Sequence, residues 1–372
     1  MRFLCFALLA LAQDPPAPAA LPVPVQDPAA QPEEWPADMP PRAKVSSVAD
    51  HARPDEPPLA DFEGVPVKRV DSFHPDGSLR RRSYVRDNGR LAPLDHGPDV
   101  RWYPNKEIQL RRTWRNGKQN GPFEEWWENG FQKSLGSFVA DQKQGTWITW
   151  HENGVPESER AYEKGLLEGR AREWFASRRL KAEVNWRRGR QHGVSRVWFM
   201  SGKPRSEANF VDGVFEGPYR EWTEDGTVKE QGTYAAGREE GTWVRLELDS
   251  ARTDGTFFAR TEENYKAGVL EGRRITWDSA GVKRSEGSYA AGKASGLHTS
   301  WNEAGKLYQE IEYKDGLPEG SWRQYASDGR IEIDGRMLAG KREGEWRYYR
   351  PDGTLDPAWS GIYKNDQRIQ GL

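Results

Sequence analysis

The sequence predicts an all-β protein: an elongated, open antiparallel β-meander of about eleven 24-residue β-hairpin repeats. Three observations carry that expectation. The first is register. With Trp114 as slot zero, Gly117 stands at +3, Gly121 at +7, Trp126 at +12 and Gly130 at +16. The pattern restarts at Phe138, Tyr162, Trp186, Phe210 and Tyr234 and, after a short insertion, at Tyr265, Tyr289, Tyr313 and Met337. A degenerate copy opens at Arg90, and a fragment reaches back to about Asp61. Slot +7 is Gly in all eleven copies, and slot +12 is aromatic in all but one, where Leu246 replaces it. The second observation is turn chemistry. Asn129-Gly130, Asn153-Gly154, Asp225-Gly226 and Asp328-Gly329 occupy +15/+16. They are the residues that a two-residue mirror-image turn wants, since both its positions need positive φ. The third is composition. Hydrophobic residues are only 35% of 372, yet there are 17 Trp. That suits thin sheets whose large rings supply the buried area, rather than a thick aliphatic core.

From the N-terminus, residues 1–12 read as a signal peptide. Arg2 gives a positive start, Phe3 to Ala12 is apolar, and Ala10-Leu11-Ala12 fits a small-residue cleavage site. The expected location is therefore outside the cytoplasm: periplasm, cell surface or secreted. The one Cys, Cys5, falls inside this segment, so the mature chain would hold neither disulfide nor thiolate. Residues 13–60 read as a Pro/Ala-rich disordered tether, with 13 of the 25 Pro between Gln13 and Leu59. Residues 61–372 form the repeat domain. No later stretch is apolar enough for a membrane helix, so no integral membrane segment is expected after signal removal. A net charge of -2 supplies no field for nucleic acid.

Within a repeat, the run before the +15/+16 turn is one strand and the run after it the other. The register then places +14 opposite +17, +12 opposite +19, and +7 opposite +24, the first aromatic of the next copy. The glycines Gly121, Gly145, Gly169, Gly193, Gly217, Gly241, Gly272, Gly296, Gly320 and Gly344 are therefore expected beneath rings, as Gly217 under Tyr234. The +2/+3 pair, such as Asp212-Gly213, begins the turn to the next hairpin. Two strands per repeat at about 4.8 Å each give a ribbon on the order of 100 Å long. The insertion between Leu246 and Tyr265 is expected to loop out, because +3/+7 spacing resumes at Gly268 and Gly272.

Tyr162-x2-Gly165-x3-Gly169-x4-Trp174, Trp186-x2-Gly189-x3-Gly193-x4-Trp198-x3-Gly202 and Tyr289-x2-Gly292-x3-Gly296-x4-Trp301-x3-Gly305 resemble MORN repeats. They look most like the bacterial variant often labelled an antitoxin component. The resemblance runs from about Asp61 to the C-terminus. It implies an open β-meander used as an interaction scaffold, and the antitoxin label implies a partner toxin.

Three rows of side chains are candidate sites. The +12 row is Trp126, Trp150, Trp174, Trp198, Trp222, Trp277 and Trp301, preceded by Trp102. Its recurrence in all but one copy favours a structural stack over sugar binding, because binding needs few sites whereas stacking needs each repeat. The +9 row, Phe123, Trp147, Tyr219, Trp243, Trp322 and Trp346, lies an odd number of residues from +12 and so on the other face. That face is the candidate aromatic binding surface, against a ribbon with both faces partly buried by twist. At +6, Glu168, Glu216, Glu240, Glu271, Glu319 and Glu343 lie in equivalent turns. They would form an acidic edge for a basic partner or divalent cations, against a plain solvated turn preference. A second acidic series, Glu159, Glu183, Glu207, Glu286 and Glu310, occupies +21.

Catalytic groups do not assemble. The six His fall at mostly different slots, although His96 and His192 share slot +6. No His/Cys metal spacing, nucleophile elbow or phosphate loop is present. The expectation is no enzyme, no cofactor and no metal. The chain reads as a monomeric, exported, non-enzymatic repeat scaffold that binds a protein. The alternatives are a wall or polysaccharide binder using exposed aromatics, and an antitoxin-like neutraliser of a toxin.

Overall fold

A computed structural model describes residues 59–89, 92–248 and 257–372. The signal-peptide reading, nearly all of the tether reading, Arg90 and residues 249–256 of the insertion lie outside the described residues. Those that are described contain no helix. One open antiparallel sheet of about 27 strands follows chain order as a hairpin meander. Its first strand, Lys68–Phe73, does not pair with its last, Gln367–Gly371, so the sheet is not closed into a barrel. Ahead of it a short hairpin, Asp61–Phe62 with Val65–Pro66, sets Phe62 edge-on against His96 at 5.5 Å between ring centroids.

The long-range register is the expected one. Gly121 pairs with Phe138, Gly193 with Phe210, Gly217 with Tyr234 and Gly296 with Tyr313. The turns differ from expectation. At +13 to +17, Phe199 N–H donates to Lys203 O at 2.9 Å and Gly202 N–H donates to Phe199 O at 2.9 Å. Three residues therefore form the loop, and Gly202 is left-handed at φ 91° while Ser201 is not. Trp198 consequently pairs with Pro204, at +18 rather than +19. The Asn or Asp at +15 serves as an acceptor instead. Asn129 Oδ1 takes the Phe131 N–H at 3.0 Å, and Asp225 Oδ1 takes the Thr227 N–H at 2.9 Å. The two-residue mirror-image turn sits at the other end of the strand, at +2/+3. Arg188 and Gly189 have φ of 49° and 76°, and Ala236 and Gly237 the same pair of values.

The reason for the +7 glycine is also corrected. All eleven, from Gly97 to Gly344, have positive φ, between 69° and 121°. Each lies in a bulge. Gln191 pairs with Trp186 and Ser195 with Val184, so His192, Gly193 and Val194 stand opposite Asn185 alone. Asn185 Nδ2 donates to Val194 O at 2.8 Å and ties the bulge down. A side chain at Gly217 would meet Asn209 at 3.6 Å rather than a ring, and one at Gly145 or Gly241 would meet nothing within 4 Å. Glycine is needed there for backbone conformation, not for space under an aromatic.

Within the described residues, the insertion extends a hairpin. Strands Arg238–Leu248 and Phe257–Lys266 stay paired, with Leu246 opposite Arg260 and Leu248 opposite Phe257. Pairing with the hairpins on both sides continues unbroken.

Candidate interaction surfaces

Side chains at +10, +12 and +21 share one face. Trp102, Trp126, Trp150 and Trp174 are buried there, while Trp198, Trp222, Trp277 and Trp301 are half-buried. Cations lie over several of these rings: Arg172 at 5.2 Å from Trp174, Arg260 at 4.7 Å from Trp277 and Lys283 at 4.8 Å from Trp301. The same face explains the +21 glutamates. Glu159, Arg172, Glu183, Arg196, Glu207 and Arg220 are successive cross-strand partners, giving a row of alternating charge down the ribbon axis. Arg196 reaches Glu207 at 2.7 Å. Opposite charges directly across a strand pair stabilise the sheet, which is reason enough for the series.

The opposite face carries the +9 row. Trp147, Trp243 and Trp346 are buried and Phe123, Tyr219 and Trp322 half-buried, so the expected exposed aromatic surface is instead packing. Each buried indole lies flat on a glycine at +22 of the preceding copy. A side chain at Gly136, Gly232 or Gly335 would collide with the ring of Trp147, Trp243 or Trp346. The indole N–H of each donates to a carbonyl, Trp147 to Ser137 O and Trp243 to Thr233 O, both at 3.2 Å. Ring covering of glycine thus does occur, but at +22 and not at +7. Neighbouring rings complete the packing, with Phe138 edge-on to Trp147 at 4.9 Å and Tyr234 edge-on to Trp243 at 4.8 Å.

The acidic edge is corrected as well. Five of the six +6 glutamates reach the left-handed +2 residue one copy ahead. Glu168 accepts the Arg188 N–H at 2.7 Å, Glu216 that of Ala236 at 2.7 Å, Glu240 that of Ala267 at 2.8 Å, and Glu271 that of Ala291 at 2.7 Å. Glu343 does the same for Asn365, while Glu319 pairs with Lys314 at 3.3 Å. His96 Nδ1 and His192 Nδ1 accept the equivalent N–H of Asn116 and Asp212, which is why both histidines share the slot. These carboxylates are capping groups that steady a strained turn.

What projects from that edge is the +4 column, which the sequence reading passed over. From Leu166 it alternates without exception: Leu166, Arg190, Val214, Arg238, Val269, Lys293, Leu317, Lys341. All eight are exposed. Among the described residues none of the four cations has a carboxylate oxygen within ion-pair distance, about 4 Å. Aliphatic and basic members both lie across the +3 glycine of the next copy, Leu166 over Gly189 and Arg190 over Gly213. Reading the repeat by columns would have found this row.

Two charged nodes interrupt the pattern. The Asp99 carboxylate is fully buried and is held by Arg81 Nε at 2.8 Å, Arg112 Nε at 2.9 Å and the Trp114 indole at 3.1 Å. Burial alone would raise its pKa, but the hydrogen bonds from Arg81 and Trp114 and the nearby guanidinium charges outweigh it and hold the carboxyl below its ordinary value. Arg245 joins Glu230 at 2.7 Å, Glu263 at 2.9 Å and Glu239, and stacks on Trp243 at 4.7 Å. Burial opposes its charge, but the Glu230 and Glu239 carboxylates prevail and keep it charged. Burial and the Glu221 and Glu230 charges push the Tyr219 hydroxyl up. Both nodes are satisfied within the sheet.

His74 and His151 both occupy +13 and donate Nε2–H to the Trp102 and Trp174 carbonyls at 3.0 and 3.2 Å. Among the described residues, no group of three His, Cys, Asp or Glu could hold a metal ion. No described helix is long and apolar enough to cross a membrane.

Residues 143–164, 215–236 and 295–315 match the family described as MORN repeat variant. No curated protein matches the chain. Among solved structures, a chain of TcdB2-TccC3-Cdc42 is 12% identical over 78% of this chain and 16% of that one, with a TM-score of 0.17. A chain of the Photorhabdus luminescens Tc holotoxin pore is 10% identical over 78% of this chain and 18% of that one, also at 0.17. TcdB2-TccC3 gives 12% identity, 82% and 19% coverage and 0.14. This chain thus spans less than a fifth of each of those chains. So low a spatial overlap supports no argument.

Proposed function

We propose that this chain is an exported, non-enzymatic repeat scaffold that binds another protein along its ribbon, chiefly through the edge carrying the +4 column. The observation that carries the reading is the alternation of exposed aliphatic and unpaired cationic side chains over eight successive copies. Both kinds of side chain rest on the same glycine, so packing gives no reason to alternate them. An external partner does. Each contact is small and repeats about every 10 Å, so affinity arises by summing neighbouring copies rather than from one pocket. The partner's contact strip is acidic and apolar in alternation.

Catalysis is no part of the reading. Four of the described histidines are engaged by the repeat framework, and the buried carboxylate of Asp99 is committed to arginines. Polysaccharide stacking is disfavoured, because several of the +12 rings carry cations and the +9 rings lie on glycine or on one another. Export rests on the apolar run from Phe3 to Ala12.

A pull-down from the source cell, read by mass spectrometry, should capture one dominant protein. Arg190→Glu, Arg238→Glu, Lys293→Glu and Lys341→Glu should each weaken capture a few-fold and together abolish it. Capture that survives the quadruple variant, or is lost with a single one, would refute edge docking. Recovery of the chain solely from the cytoplasm would refute export.

A further inference from the structure

One copy breaks the +9 rule in a way that leaves a vacancy. His298 stands where Trp147, Trp243 and Trp346 stand in their copies, above a +22 glycine of its own, Gly287. Its Nε2–H donates to Ser288 O at 2.9 Å, the hydrogen bond that the indole N–H makes elsewhere. A side chain at Gly287 would collide with His298 Nδ1 and Cε1, just as one at Gly232 would collide with Trp243 Cδ2 and Cε2. The imidazole therefore overlays the five-membered ring of the indole. Nδ1 and Cε1 take the places of the two fusion carbons, and the six-membered ring is missing.

A cavity of about 140 Å³ lies here, bordered by His298, Arg274, Ser285, Gln309, Tyr289 and Tyr313. Tyr289 and Tyr313 flank the imidazole at 5.3 and 4.7 Å between centroids. In the neutral imidazole with the Nε2 proton given to Ser288, Nδ1 holds a lone pair. That lone pair faces the side on which the fused ring would lie, and no hydrogen-bond partner for it exists among the described residues. The notch thus combines the space left by four ring carbons, continuous with the larger cavity, two aromatic walls and the imidazole acceptor at its inner end.

We propose that this notch binds a planar phenolic ring, whose hydroxyl donates to His298 Nδ1 from the space of the absent indole carbons while the ring extends outward through the cavity. The ring meets the aromatic walls, and the hydroxyl satisfies an acceptor that an indole would not have offered. The phenol is either a free small molecule or the side chain of a tyrosine on another protein. The site does not depend on the edge-docking proposal.

The test is titration of the full chain, with ¹⁵N-labelled histidine, with phenol, benzene and N-acetyltyrosinamide. Phenol should shift the His298 Nδ1 resonance saturably, with dissociation in the millimolar range. Benzene should bind at least fivefold more weakly. His298→Trp fills the notch and should abolish binding with the fold retained, since three other copies already hold Trp over a +22 glycine. His298→Phe keeps a ring but removes the acceptor, and should reduce phenol binding to the level of benzene. N-acetyltyrosinamide binding as phenol does assigns the notch to a partner's tyrosine; binding of phenol alone assigns it to free phenols. No saturable shift, equal binding of benzene, or undiminished binding by His298→Trp would overturn the proposal.

Discussion

The hairpins from His74 to Trp174 and those from Leu180 to Tyr349 keep one register but tie their turns together differently. In the first region, ring donors at +13 bridge successive copies: Tyr103 to Trp126 O at 2.9 Å and Trp127 to Trp150 O at 3.1 Å, with His74 and His151 alongside. Short amides at +15 add a second ladder, Asn105 to Glu128 O at 3.0 Å and Asn129 to Glu152 O at 2.9 Å. In the second region, long cations make the bridge: Lys306 Nζ to Ser327 O at 2.7 Å and Arg330 Nη1 to Pro351 O at 2.6 Å. Both clusters of buried apolar residues lie in or next to the first region, around Trp102, Ile108 and Trp126 and around Ile148, Trp150, Trp174 and Leu180. The lesson is that register alone does not set stiffness. Rings and short amides give up little freedom on bridging, whereas an ordered Lys or Arg loses on the order of 1.5–2 kcal/mol of side-chain entropy. In a one-dimensional repeat array such differences are felt locally. Amide hydrogen exchange should therefore be slower between residues 74 and 174 than between 180 and 349, and the reverse order would break the comparison.

The largest effect is expected at the first region's buried charge. Asp99→Ala leaves Arg81, Arg112 and the Trp114 indole facing a void, and should cost about 3–5 kcal/mol in denaturant unfolding. The pH dependence has a definite sign. The folded Asp99 value lies below the unfolded one, so its stabilisation is present above about pH 3.9 and is lost as pH falls below it through the folded value. Asp99→Asn should flatten that acid limb, and an unchanged limb would mean that other carboxylates govern it.

Next comes the tryptophan row. Trp150 is 2% exposed within its cluster, whereas Trp301 is half-buried under Lys283. Trp150→Ala should cost about 3–5 kcal/mol and Trp301→Ala roughly half that, by the area each removes from contact. Equal losses of melting temperature would erase the distinction between the regions.

Gly217→Val and Glu216→Ala test the frame that both regions share. Valine at Gly217 forces a β-branched residue to φ 88° and should cost about 2–3 kcal/mol. Glu216→Ala uncaps the Ala236 N–H and should cost about 1 kcal/mol, the cap being half-exposed. A Glu216 effect within noise would return that residue to the solvated role expected from sequence.

The smallest pair compares the bridges themselves. Asn129→Ala removes both an inter-copy bond and the acceptor for Phe131, and should cost about 1 kcal/mol by thermal melting. Lys306→Ala should fall within about 0.5 kcal/mol, as exposed cations usually do. A reversed order would show that cation bridges are the stronger ties.

Much of this molecule is written in its period. The eleven-fold +7 glycine and the recurring aromatics determined a hairpin meander and the pairing of Gly217 with Tyr234, because a two-strand unit repeated in register has one consistent pairing. The sequence by itself did not say which end of a strand carries the mirror-image turn. Asn-Gly serves both as a left-handed pair and as a capping side chain followed by a left-handed glycine, and backbone angles alone separate the two. Nor did it reveal that the +6 glutamates bend back onto turn amides, or that Trp147 and Trp243 lie on glycines and are closed to solvent. Those outcomes depend on which groups of neighbouring copies come within bonding distance, and only stacking one hairpin on the next brings them together.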